Sequence, residues 1–100
     1  MLPHIAHKVD VMEKSLNSHI QKLLPKFKAS KKTEIDYLLP KIATMQENEL
    51  RQVLHKMAGS FSCYNFLKIG ASLKAFELDQ DLDSKRDLVK KALEEILAEL

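Results

Sequence analysis

The 100-residue chain has little of what marks a secreted, membrane-spanning or nucleotide-binding protein. It has a single cysteine, Cys63, so no internal disulfide can form and no thiol cluster is available for zinc; this fits a reducing compartment. No run approaches the roughly eighteen consecutive apolar residues of a membrane span, and the amino terminus has no signal-peptide core. The only two glycines, Gly59 and Gly70, lie too far apart to build a loop that cradles nucleotide phosphates, which argues against any ATP-dependent kinase activity. There is no tryptophan. The formal charge of +2 is too small to announce a nucleic-acid or membrane binder. These absences predict one cytoplasmic domain covering residues 1–100, with ends that favour a free protein over a piece of a larger one.

What is present is helical periodicity. Apolar residues make up 45% of the chain, a share suited to a packed core. Ile5, Val9, Met12, Leu16, Ile20, Leu23 and Phe27 recur at steps of three and four, predicting an amphipathic helix with Asp10 as a plausible N-cap. Pro25 disfavours helical geometry at Leu24, so a break or kink between one helix and the next is expected there. A second helix should run from about Pro25 into the mid-forties with Ile35, Leu38, Leu39, Ile42 and Met45 inward, kinked by Pro40. A polar turn near Gln46 leads to a helix from about Glu47 to Ser62. Asn65 can cap another helix carrying Phe66, Ile69, Leu73 and Phe76. After the acidic connection Asp79 to Asp83, Ser84 and Asp87 stand as a capping box for a last helix. Its inward stripe would be Leu88, Val89, Ala92, Leu93, Ile96, Leu97 and Leu100. No stretch alternates long enough for a strand. The expected fold is all-α, an antiparallel four-helix bundle with an additional amino-terminal helix.

Charge is unevenly distributed. Residues 1–56 hold ten basic side chains against six acidic, and residues 57–100 hold six against eight. The basic excess centres on Lys26, Lys28, Lys31 and Lys32. It reads as a solvated helix face that could steer an acidic partner.

The segment Leu50 to Gly70, LRQVLHKMAGSFSCYNFLKIG, is the most informative. Leu50, Val53, Leu54, Met57, Phe61 and Tyr64 share one helical face, so they read as core. His55 projects roughly 150° from the centre of that face. Gly59 lies one turn on along the histidine's side, with Ser62 one turn further. A glycine inside a helix costs about 1 kcal/mol relative to alanine, but here it clears the approach to the imidazole. His4, His7 and His19 have no such surroundings. Cys63 reads as a small, partly buried side chain.

LHKMAGSFSCYNF resembles the signature of histidine phosphotransfer (HPt) domains, whose usual form is His-x-Leu/Met-Lys-Gly-Ser followed by a stretch rich in glycine and aromatics. The upstream LLPKFKASKKTEIDYLL and the downstream IGASLKAFE resemble the family's flanking segments, so the likeness extends over about residues 10 to 95. It implies that His55 is the phosphorylated histidine. Met57 would then be the apolar position behind it, Gly59 the glycine one turn on and Ser60 the small polar residue. Tyr64 and Phe66 match the aromatic pair of one subgroup. Two positions depart from the pattern: Ala58 stands where the family has lysine, and Asn65 where that subgroup tends to have glycine.

The resemblance implies a phosphorelay intermediate in two-component signal transduction. A neutral imidazole nitrogen would take a phosphoryl group from an aspartyl phosphate and return it to another aspartate. The expected partner is a receiver domain of a response regulator or hybrid kinase, which supplies the aspartate and the magnesium; the chain itself, a monomer, would need no cofactor. Phosphoryl-environment and docking residues would be Arg51, Gln52, Lys56, Gly59, Ser60, Ser62 and Lys68, with Arg51, Lys56 and Lys68 as candidates to replace the absent lysine. The alternative is a receiver-binding adaptor with impaired or no transfer, motivated by Ala58. A basic module binding nucleic acid through Lys26–Lys32 is disfavoured by the modest charge and the lack of interleaved aromatics.

Overall fold

The computed structural model describes residues 21–100. All regular structure among them is helical. Among the described residues the first helix, α1, covers 21–38 and passes into a 3-10 turn, Leu39–Lys41. α2 spans Glu47–Cys63 and α3 spans Leu67–Glu77; a second 3-10 turn, Leu82–Lys85, opens directly into α4, Arg86–Glu99. None of the described helices is long and apolar enough to cross a membrane. Most of the expected amino-terminal amphipathic stretch, with its cap Asp10, lies outside the described residues.

The element boundaries have local causes. Pro25 does not break α1, which is helical throughout 21–38. The proline is exposed, so water can reach the Gln21 carbonyl it leaves without a donor. Pro40 acts more strongly than expected. Instead of kinking a helix that continues to the mid-forties, it stands in the 3-10 turn where α-helical geometry has already ended. Gln46 enters α2 with extended backbone, and Glu47 and Glu49 place negative charge in the first turn, where the helix dipole favours it.

The end of α2 corrects the expectation for Asn65, which terminates α2 instead of capping α3. It has φ 71°, the left-handed region. Its N–H donates to the Ser62 carbonyl and the Phe66 N–H donates to the Phe61 carbonyl, the paired bonds of a Schellman motif. Asparagine tolerates that conformation nearly as glycine does, which explains the residue found here. The capping box at Ser84 does not form either. The Ser84 hydroxyl instead donates to the Asp81 carbonyl and to its carboxylate.

One apolar core lies between the helices. Ile35, Leu38 and Ile42 meet Leu50, Leu54, Met57 and Phe61 of α2, Leu73 of α3, Leu82 of the second turn, and Val89, Leu93 and Ile96 of α4. Leu88, expected inward, is 54% exposed. It stands about 100° from the stripe centred on Val89, Leu93 and Ile96, and so lies outside the arc that α4 buries. The Phe27 ring stacks on Tyr64 at 4.0 Å and on Phe66 at 6.0 Å, and meets the edge of Phe61 at 5.4 Å. These rings pin the early part of α1 to the end of α2, a structural use for the aromatic pair singled out in the sequence.

Arg86 closes the opposite end. Its guanidinium donates to the carbonyls of Ile42 and Met45, both at 2.6 Å, while Asp83 holds it from the other side at 2.6 Å. The carbonyls left over where α1 unwinds are thereby satisfied from the first residue of α4. Nearby, Lys85 pairs with Asp79; that bond, helped by the Asp81 N–H, holds the Asp79 carboxyl below its ordinary pKa. Replacing Arg86 with methionine should lower unfolding free energy by roughly 1–3 kcal/mol. Urea titration checks this, and a loss under about 0.5 kcal/mol would contradict the clamp.

Candidate functional site

α2 and α3 form an antiparallel hairpin about the turn at Tyr64–Phe66. Their closest approach is at Gly70. A Cβ there would stand 2.2 Å from the Ser62 Oγ and 3.0 Å from the Ala58 carbonyl oxygen, so any side chain would have to displace Ser62 and crowd the α2 backbone. In such a hairpin, residues equidistant from the turn face one another. Ser62 and Gly70 lie equally far on either side of Phe66, and so do His55 and Glu77.

The second pair makes contact. His55 is exposed, with 72% of its side chain open to solvent, while Glu77 keeps only 19%. The Glu77 carboxylate lies 3.1 and 3.2 Å from the His55 Nδ1. An ionised carboxylate can only accept, so this contact places the imidazole proton on Nδ1 and leaves the Nε2 lone pair facing outward. Behind the ring, Met57 and Leu54 are fully buried and fix the helix face. Beside it, a Cβ at Gly59 would find no atom within 4 Å, so the approach is open as the sequence reading requires.

Arg51, one turn before His55, is held by two contacts. One of its terminal nitrogens donates to the Glu77 backbone carbonyl and the other to the Glu47 carboxylate at 2.6 Å. It thus anchors the last turn of α3 to α2, and its charge is shared with Glu47. Gln52 and Lys56 border the same shallow surface as Arg51, His55 and Glu77. Gly59 and Ser62 lie on an adjoining concavity of about 260 Å³ together with His55, Ala58, Lys74 and Glu77.

Ser60 faces the other way, into a groove of about 760 Å³ between α1 and α2 whose floor includes Leu23, Phe27 and Tyr64 and whose rim carries Lys26, Lys31 and Lys56. Cys63 lines that groove and is exposed, not partly buried as expected, because it sits in the last turn of α2 on the side away from the core. Lys68 is not near His55. It borders a separate surface with Ile69, Ala92 and Glu95.

Two residues around the imidazole were not singled out from the sequence, Glu77 and Lys74. The signal existed in the hairpin register: once the turn is fixed at Tyr64–Phe66, Glu77 is the partner of His55 and Lys74 the partner of Ala58. Compared with protein-family models, with curated proteins and with solved structures, the chain matches none.

Two measurements test this geometry. Gly70→Val should force α2 and α3 apart and cost about 1–3 kcal/mol in thermal or urea unfolding; an unchanged midpoint would contradict the close crossing. Nitrogen-15 NMR of the neutral His55 ring should find the proton on Nδ1. Glu77→Ala should move it toward Nε2, and an identical tautomer in both proteins would deny Glu77 its orienting part.

Proposed function

We propose that the chain is a histidine phosphotransfer domain, with the helices arranged as the antiparallel four-helix bundle of that family, and that it relays phosphoryl groups between receiver domains through His55. The observation that carries the reading is an exposed imidazole whose Nδ1 is held by Glu77, which leaves Nε2 free, beside the uncovered Gly59. The likeness of LHKMAGSFSCYNF and its flanking segments to the family adds to it.

The chemistry needs little from this chain. The Nε2 lone pair forms a bond to phosphorus as the bond from phosphorus to the donor's aspartyl oxygen breaks, and the electron pair leaves with the carboxylate. The Nδ1 proton stays in its hydrogen bond, so the positive ring that results lies against the negative Glu77. The return step reverses the same motions. Positioning supplies most of the rate advantage, because Glu77 and the rigid α2 face hold the nucleophile in one orientation. The receiver would provide the aspartate and the magnesium, and this monomeric, cytoplasmic carrier would bind neither nucleotide nor cofactor. The groove between α1 and α2, apolar on its floor with Lys26, Lys31 and Lys56 on its rim, offers the acidic face of a receiver a place to rest.

The adaptor alternative keeps its single motive, alanine at position 58. An oriented and accessible nucleophile favours transfer over binding alone. Incubation with a phosphorylated receiver and magnesium should label His55, and His55→Gln should carry no label. Label that persists in His55→Gln would refute the proposal.

A further inference from the structure

We infer that Lys74 of α3 supplies the positive charge beside the phosphoryl group at His55, taking the place of the lysine absent at position 58; the inference rests on the transfer reading above. A phosphoryl group arriving at Nε2 brings close to two negative charges next to the carboxylate of Glu77, so a nearby cation is needed to offset them. Four cations come into question. Arg51 is committed to Glu47 and to the end of α3. Lys68 stands on another surface, with residues of α4. Lys56 belongs to the ridge between His55 and the groove toward α1. Lys74 alone of the four lines the concavity that holds His55, Ala58, Gly59 and Glu77.

The hairpin register explains this position. Gly70, Lys74 and Glu77 fall on one face of α3 at steps of four and three. The Gly70 end of that face presses on Ser62 and on the Ala58 carbonyl, and the Glu77 end holds His55. Lys74 lies between them, equally far from Phe66 as Ala58 is on the other side. Ala58 ends in a methyl group and borders the same concavity as Lys74. A lysine on α2 at 58 and a lysine on α3 at 74 are therefore two routes to one volume. Lys74 makes no ion pair among the described residues, which leaves its ammonium available for a phosphoryl oxygen.

The test uses the full chain and two donors, a phosphorylated receiver with magnesium and the small donor phosphoramidate. With phosphoramidate the Nε2–phosphorus bond forms as the phosphorus–nitrogen bond breaks, and ammonia leaves with the bonding pair. Lys74→Ala should slow labelling of His55 by both donors roughly ten- to hundredfold, the scale of one charge-assisted hydrogen bond. Lys74→Arg should keep most of the rate, and Lys74→Ala combined with Ala58→Lys should restore it. Lys56→Ala should slow the receiver reaction more than the phosphoramidate reaction. Wild-type rates for Lys74→Ala with phosphoramidate would overturn the inference, as would a larger loss for Lys56→Ala with that donor. If the receiver fails to label wild type while phosphoramidate labelling still depends on Lys74, the relay reading falls and the cation assignment stands.

Discussion

The contact between α2 and α3 at Gly70 decides where every group around His55 stands. Because Gly70 has no side chain, the two backbones close until only Ser62 and the Ala58 carbonyl separate them. From that point the antiparallel register is fixed, and each turn toward the far end of the hairpin brings a set pair of residues face to face. Glu77 then reaches the His55 ring directly, and Arg51 ties down the Glu77 backbone carbonyl at the end of α3. The Schellman turn with its left-handed Asn65 holds the same register from the other end.

The charges near the imidazole largely cancel in pairs. Arg51 answers Glu47, and Glu77 answers the ring whenever the ring becomes positive. What is left over is cationic, Lys56 on one side and Lys74 on the other. A surface balanced in this way carries little net negative potential, although a carboxylate stands within hydrogen-bond distance of the imidazole. Glu77 is mostly buried and meets the ring at Nδ1.

The helical class, the span of α2 and the inward stripe of Leu50, Leu54, Met57 and Phe61 were readable from periodicity alone, because each apolar step of three or four has a direct spatial meaning. The exposure of His55 and the open space at Gly59 followed from the same wheel. What periodicity misjudged were residues whose role is decided by the backbone. Pro25 was tolerated inside α1 because it faces water, Pro40 stopped the α form outright, and Asn65 served the helix before it instead of the one after it. Glu77 and Lys74 escaped notice for another reason. Their meaning depends on which residue of a different helix they face, and that requires the turn position and the glycine contact together. Lys68, close to the motif in sequence, lies away from His55 because it points around α3 toward α4.

Everything that orients the imidazole comes from one stretch of chain, from Glu47 to Glu77, folded back on itself about a single tight turn. Contacts so near in sequence carry a small loop-closure penalty and can assemble early, ahead of the distant clasp between Arg86 and Ile42. The contacts that orient His55 and the groove between α1 and α2 are therefore built from separable parts of the chain. The groove-facing side chains Lys26 and Lys31 of α1 can change in size and charge while the imidazole keeps the same bearings.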